Sequence, residues 1–116
     1  MTTYHCMIDL KTNANALAFA HAAHGWFAGL KAEGKIEDWQ LYRRKLHLAG
    51  PGFGDFLLVV TLRDLAQLDL AFLHLGEHDA DTARAYEQMH GMIERFEVGL
   101  YRRFPDAVQA ERLALI

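Results

Sequence analysis

The segment Phe56–Leu62 (Phe-Leu-Leu-Val-Val-Thr-Leu) is apolar at every position except Thr61. A run rich in branched apolar residues, with no glycine or proline, predicts a strand, and successive side chains on a strand point to opposite faces of the sheet. The apolar side chains therefore divide between the faces, with Phe56, Leu58, Val60 and Leu62 on one and Leu57 and Val59 on the other. A strand that is apolar on both sides predicts a sheet covered on both faces.

The remaining segments alternate between strand and helix patterns. Asn13 or Asn15 can cap the first helix, and Asp64 can cap the second, because a short polar side chain accepts an unpaired backbone N–H. Gly50–Gly54 holds three glycines and a proline and is a loop. The predicted elements are a strand at Thr2–Leu10, a helix stopped by Gly34, strands at Ile36–Leu46 and Phe56–Leu62, helices at Asp64–Gly76 and Asp81–Met92, and a strand at Ile93–Phe104.

This order predicts an α+β fold of the ferredoxin-like split βαβ type, with a four-stranded antiparallel sheet and the helices on one face. A chain of 116 residues is large enough to bury a core as one domain, so we expect a single domain over residues 1–116. The two halves of such a fold resemble each other. The tetrapeptide Leu-Tyr-Arg-Arg occurs twice, at Leu41–Arg44 and Leu100–Arg103, late in the second and fourth strands. Those strands are predicted edges, where charged side chains discourage unwanted strand addition. The alternative is that Arg43, Arg44 or Arg102 binds a phosphate or a carboxylate.

The helices of such a fold cover one face of the sheet, so something else must cover the second. Leaving three or four apolar side chains in water would forgo roughly 1.5–3 kcal/mol each. The same sheet from a second copy is the simplest cover, and we predict a homodimer with sheet packed on sheet. The C-terminal tail, docking by Val108, Leu113 and Ile116, is an alternative cover, but it is short.

Several segments carry a family resemblance: Tyr4–Lys11, Arg43–Leu46, Asp64–Asp69 and Leu100–Asp106. With the predicted topology, they resemble the dimeric α+β barrel superfamily, and within it an uncharacterised bacterial family. The resemblance implies paired sheets in a homodimeric barrel. It also suggests a cofactor-independent oxygenase or isomerase, although the superfamily hosts unrelated chemistries.

Composition excludes several classes of protein. The formal net charge is −3, whereas nucleic-acid binders are commonly basic, so no nucleic-acid partner is expected. One cysteine, Cys6, permits no internal disulfide and suits a reducing compartment. Asp9 and Lys11 interrupt any signal-peptide core, and the apolar run Ala14–Leu30 is too short and too polar to span a bilayer. We expect a cytoplasmic protein with no membrane contact.

Five residues are candidates for ligand binding in a pocket between sheet and helices. His5 on the first strand and His24 on the first helix could act as a general base or orient a ligand. Trp39 and Tyr101 could stack on a ring, and Arg44 could pair with an anionic substituent. Trp26, Phe27 and Tyr42 could line the same pocket. For all of these residues the alternative is an ordinary structural role in the core or on the surface.

No metal site and no cofactor are expected. His74-Leu75-Gly76-Glu77-His78 matches the inverted zinc-protease pattern His-x-x-Glu-His, but Gly76 and the acidic residues that follow place it at a helix end, where the imidazoles need not share a face. His21 and His24 are three residues apart and have no carboxylate in their turn. The buried thiol of Cys6 is expected to be inert.

Two functions follow from these observations. The first is binding of a small aromatic or apolar molecule in an enclosed pocket, with or without catalysis. The second is a non-catalytic dimeric interaction or stress-response module, which needs no pocket. A cavity with converging polar groups would favour the first function, and solid packing in its place would favour the second.

Overall fold

The computed structural model describes residues 1–48, 50–74 and 80–105. Within them it has the element order predicted from the sequence. The strands are β1 (Thr2–Leu10), β2 (Asp38–Arg43), β3 (Phe56–Leu62) and β4 (Ile93–Arg102), and the helices are α1 (Ala16–Ala32), α2 (Leu65–His74) and α3 (Ala80–His90). Strands β1 and β3 have the predicted bounds. The C-terminal tail and most of the His-x-x-Glu-His stretch lie outside the described residues.

The strands form one sheet in the order β2-β3-β1-β4, and every neighbouring pair is antiparallel. Strands β2 and β4 are therefore the edges, as predicted. The two Leu-Tyr-Arg-Arg segments lie at opposite corners: Arg43 pairs with Phe56 at the start of β3, and Arg102 pairs with Thr2 at the start of β1. This diagonal placement is what two similar halves produce.

The even-numbered side chains of β1 and β3 face the helices. Cys6 is opposite Leu58 and Ile8 is opposite Phe56, and directly paired residues share a face. All three helices contribute to the same core, with Phe19 from α1, Leu68 from α2 and Met89 from α3. The buried apolar residues of this core are Cys6, Ile8, Phe19, Ala23, Trp26, Phe27, Ile36, Phe56, Leu58, Val60, Leu62 and Met89.

The opposite face of the sheet, which we call the open face, carries the odd-numbered side chains of β1 and β3. His5 is opposite Val59 and Met7 is opposite Leu57, and all four are only partly buried. The described helices all pack on the other side. The sheet is therefore apolar on both faces, as predicted, but the described part of the chain buries only one.

Polar side chains set the helix ends. Asn15 accepts the backbone N–H of Ala18 at 3.0 Å and caps α1. Asp64 accepts the N–H of Gln67 at 2.8 Å and caps α2. Gly34 follows α1 with φ +73°, a conformation that glycine adopts without a Cβ clash.

Four details differ from the sequence prediction. Helix α3 ends at His90 rather than at Met92. Strand β2 is shorter than Ile36–Leu46 because the chain turns after Arg44, where Leu46 and His47 have positive φ. Strand β4 ends at Arg102 rather than at Phe104. The helical spacing of Leu17 with Phe27 and Leu30 predicts that Leu17 lies on the apolar side of α1, but it is 82% exposed, and Ala23 is buried instead.

The position of α2 depends on a buried glutamine. The side chain of Gln67 is 2% exposed; its Oε1 accepts the N–H of Arg63 at 2.7 Å, and its Nε2 donates to the carbonyl of Gly34 at 3.1 Å. Nε2 also donates to Glu37 Oε1 at 3.1 Å. These bonds join α2 to the connection between α1 and β2, and so hold α2 at one end of the space between helices and sheet.

Candidate functional site

A cavity of about 300 Å³ lies between the sheet and the three helices. Its walls combine side chains from the helix-facing side of the sheet with aromatic side chains from the helices. The lining includes Tyr4, Cys6 and Leu58 from the sheet and Phe19, Trp26 and Tyr86 from the helices. Such a mostly apolar space favours an apolar ligand.

The exposed part of the cavity lining includes side chains from α2 and β4. Two of its lining residues are half exposed, Phe72 on α2 at 50% and Phe96 on β4 at 49%. Phe72 also contacts Tyr4 edge-to-face, with ring centroids 6.3 Å apart. Beyond Phe96, Val98 and Leu100 continue the exposed apolar edge of β4. The exposed part of the lining is therefore apolar as well.

Few polar groups reach the cavity. Tyr86 stacks on His90 with centroids 5.2 Å apart, and His90 contacts Phe96 edge-to-face at 5.5 Å. His90 is thus held between two aromatic rings at the cavity wall. Its imidazole can donate or accept a hydrogen bond, depending on the tautomer.

The other two ionisable groups at the cavity are Tyr4 and Cys6. Burial, with smaller effects from Cys6 and Tyr86, raises the pKa of Tyr4. Burial also raises the pKa of the Cys6 thiol to about 11. Both groups are neutral near pH 7, since the charged form is disfavoured in an apolar environment. The cavity therefore has no thiolate nucleophile, which agrees with the expectation of an inert thiol.

The five predicted ligand-binding residues do not come together in this cavity. His5 and Tyr101 lie on the open face, with ring centroids 4.9 Å apart, and His5 Nε2 is 2.9 Å from Thr3 Oγ1. Tyr42, which pairs with Leu57, lies on the open face too. The side chains of these residues lie on the face of the sheet that is opposite to the cavity, so the sheet separates them from it.

The remaining predicted residues lie on the helix side of the sheet or at its end. The rings of His24 and Trp39 are in contact, with centroids 5.4 Å apart, and the rings of Trp39 and Phe27 have centroids 5.7 Å apart. Phe27 and Trp26 line the cavity as predicted, with Trp39 next to Phe27. Arg44 lies elsewhere, 3.0 Å from Asp55 in an ion pair at the rim of a second, polar cavity.

Sequence reasoning missed Tyr86 and His90. They are four residues apart, which places them on the same side of α3, and Met89 between them is buried. That spacing was visible in the sequence. A tyrosine and a histidine four residues apart, with a core-facing methionine between them, are a sequence signal for this part of the cavity wall.

Two classes of site are not found in the part of the chain that the structure describes. No group of three or more His, Cys, Asp or Glu side chains is arranged to hold a metal ion there. Within the same residues, none of the helices has the length and apolar character to cross a bilayer.

Solved structures share this fold at low sequence identity. A protein of Arabidopsis thaliana matches with TM-score 0.70 and 7% identity, covering 92% of this chain and 99% of its own. A dimeric ferredoxin-like protein of unknown function from Jannaschia sp. CCS1 matches with TM-score 0.63 and 14% identity, covering 89% and 100%. Another so described, from Thermobifida fusca, matches with TM-score 0.59 and 13% identity, covering 86% and 88%.

These matches confirm the ferredoxin-like α+β fold predicted from the element order and from the resemblance. No curated protein matches the sequence. A match over residues 1–116 establishes that the chain belongs to a family of unknown function, DUF6614.

Proposed function

We propose that this protein binds a small aromatic or apolar molecule in the cavity between sheet and helices. The observation that carries the proposal is the cavity itself. It has a volume of about 300 Å³, its lining is almost entirely apolar, and the rings of Phe72 and Phe96 in that lining are half exposed. This space leaves room for a ligand, whereas an interaction module would permit solid side-chain packing there.

The volume limits the size of the ligand. An apolar cavity of about 150 Å³ can hold benzene, and drug-sized ligands occupy roughly 300–1,000 Å³. At about 300 Å³, the cavity suits one or two fused rings. Aromatic side chains on several walls, among them Phe19, Trp26 and Tyr86, offer edge and face contacts to a ring.

An oxygenase or isomerase reaction would also need a group that accepts a proton. Among the described lining residues, His90 is the imidazole at the cavity wall, and it would take that role in place of His5 or His24. Ligand binding requires no such step. Binding is therefore the first part of the hypothesis to test, and a reaction assisted by His90 is the second.

The test compares thermal stability with and without indole or naphthalene. A ligand at about ten times its Kd stabilises the native state by about 1.4 kcal/mol, which raises the Tm by several degrees for a domain of this size. Ala71→Phe, at a lining position on α2, should abolish this shift by filling the cavity. Ala66→Phe, at an exposed position on the same helix, is the matched control and should retain it.

Equal Tm values for the wild type in the presence and absence of both compounds would reject the ligand hypothesis and favour the interaction module. A shift that Ala71→Phe retains would place the ligand outside this cavity. A reaction that persists in His90→Ala would exclude His90 as the general base.

We propose further that the protein is a homodimer in which two open faces pack together. The centre of the open face is apolar, at Met7, Leu57 and Val59, and these side chains are only partly buried. Charged pairs lie at its rim, Asp9 with Arg95 at 3.4 Å and Asp38 with Lys31 at 3.3 Å. An apolar centre with a polar rim is typical of a protein interface.

The open face would place His5 and Tyr101 in the interface, where they could contact the partner subunit rather than a ligand. The structural neighbours from Jannaschia sp. CCS1 and Thermobifida fusca are described as dimeric, which supports the proposal. Sedimentation velocity at micromolar concentration should give a species of two copies. A folded, monodisperse single copy would contradict it.

A further inference from the structure

A second cavity, of about 460 Å³, lies where β1 and β2 end and α1 begins. We propose that it binds a compact oxyanion carrying at least two negative charges, a phosphate group or a pair of carboxylates, on a small molecule. It is separate from the apolar cavity. Phe19 lines the apolar cavity and Phe56 lines this one, and their rings are in contact with centroids 5.4 Å apart.

The charges around this cavity are strongly unequal. Lys11, Arg43, Arg44 and Lys45 line it, and the carboxylate among its lining residues is Asp55. The chain as a whole has a formal net charge of −3, so this concentration of cations runs against its overall charge. Like charges gathered around one concave space repel one another, and an anion bound between them would relieve that repulsion.

The cations retain capacity for a ligand. Arg44 Nη2 donates to Asp55 Oδ1 at 3.0 Å, so the carboxylate that lines the cavity is paired with Arg44. The guanidinium of Arg43 lies over the ring of Phe56, 5.7 Å from its centroid. Lys11 and Lys45 form no ion pair within the described residues. Both ammonium groups and the guanidinium of Arg43 could therefore donate to an oxyanion.

The backbone turn after β2 shapes the same cavity. Leu46 and His47 have φ 55° and 54°, and the N–H of Leu48 donates to the carbonyl of Lys45 at 3.0 Å. Two successive residues with side chains in this conformation cost energy, since Cβ crowds the backbone. Such strain is often found at functional sites. Here the turn leaves both Lys45 and His47 lining the cavity.

The first turn of α1 also favours negative charge in this cavity. Ala16 lines the cavity, and the first turn of this helix contains no acidic residue. Asn15 Oδ1 already accepts the N–H of Ala18, but the positive end of the helix dipole remains at this end of α1. Negative charge in the cavity would be stabilised by this end of α1 as well as by the side chains.

The test uses pyrophosphate and citrate as separate probes, with isothermal titration calorimetry at low and at physiological ionic strength. The variant Arg43→Gln/Lys45→Gln removes two cavity charges and keeps the Arg44–Asp55 pair. The matched control Arg102→Gln/Arg103→Gln removes two charges from the other Leu-Tyr-Arg-Arg segment, at the opposite corner of the sheet.

The wild type should bind at least one probe, and the stronger probe would show whether a phosphate group or carboxylates are preferred. The cavity variant should lose about hundredfold in affinity, because it removes two charge-assisted hydrogen bonds and each is worth about a factor of ten. The control should stay within about twofold. Equal losses in both variants would show that the binding is general charge attraction, and would overturn the proposal. Failure of the wild type to bind either probe would overturn it too.

Amide chemical shifts of the wild type give a second measurement that does not depend on any variant folding. Binding at this cavity should perturb the amides of residues 11–17 and 43–48 in a saturable way. Perturbations concentrated at residues 100–105 or spread over the whole sheet would overturn the site assignment.

Discussion

The two faces of the sheet are made by the same strands, yet they have different environments. On β3, Leu58 faces the helices and is 6% exposed, whereas its neighbour Leu57 lies on the open face and is only partly buried. On β1, Cys6 and Met7 show the same contrast. The difference is not one of composition, since both faces are apolar at their centres. It is set by which face the helices cover.

One fold thus supplies two kinds of apolar surface. The helix face is enclosed by side chains from the same chain, and its imperfect filling leaves the ligand-sized cavity. The open face has no cover within the described residues, so its apolar side chains are available to a second copy. Burial of apolar surface contributes about 25 cal/mol per Å² on either face, but on the open face this free energy is gained only when the face associates with another surface.

The largest expected effect comes from truncating neighbouring leucines. Leu58→Ala should reduce the free energy of unfolding by about 2–5 kcal/mol, because it leaves a cavity in the core. Leu57→Ala should cost about 1 kcal/mol or less in the single copy, and its effect should grow with protein concentration if open faces pair. Urea unfolding at several protein concentrations measures both. Equal, concentration-independent losses would show that the faces do not differ as described.

The next effect is on assembly. Val59→Asp places a carboxylate at the centre of the open face, and burying it in a dimer should weaken association about hundredfold, or about 2.8 kcal/mol. Val98→Asp makes the same change on the helix side of β4, where Val98 is 45% exposed, and should leave the dimer intact. Sedimentation equilibrium gives both constants. Dissociation by Val98→Asp but not by Val59→Asp would place the interface elsewhere.

The smallest effect concerns two adjacent thiol positions. Burial raises the pKa of Cys6 to about 11, so iodoacetamide should modify it slowly near neutral pH in the native state. A thiol introduced by Met7→Cys should be protected in the dimer and react on dilution. Mass spectrometry separates the two sites. Modification of native Cys6 as fast as in urea would contradict its burial.

The raised pKa of Cys6 also predicts a pH dependence of stability. The folded-state pKa lies above the value of about 8.5 for an unfolded cysteine. The stabilising contribution is therefore complete below about pH 8.5 and is lost as the pH rises toward 11. Cys6→Ala should lose part of this alkaline decline, and an unchanged decline would show that other groups cause it.

Much of the fold could be predicted from local sequence. The bounds of β1 and β3 and the stop at Gly34 follow from residue chemistry over a few positions, which also limits the cap of α1 to Asn13 or Asn15. The edge positions of β2 and β4 follow instead from the split βαβ order of the elements. The end of β2 could not be predicted, because the turn places positive φ at Leu46 and His47, which are residue types that do not signal it.

The candidate sites were less predictable. Trp26 and Phe27 were expected at a pocket and do line it. Tyr86 and His90 were missed, and His5 and Tyr101 were expected between sheet and helices but lie on the open face. Arg44 belongs to the polar cavity, formed by the ends of two strands and the start of α1. A site assembled from separate elements depends on the distances between them, which local patterns do not encode.

The sequence by itself determined the order of the elements, the antiparallel sheet and the apolar character of both its faces. Only the tertiary structure decided which face the helices cover. On β3 both parities are apolar, so the hydrophobic pattern is the same whichever way the strand is turned. The choice depends on how Phe19, Leu68 and Met89, from three different helices, pack together over the even-numbered residues. That packing is a long-range property, and it places the apolar cavity on one face and leaves the other open.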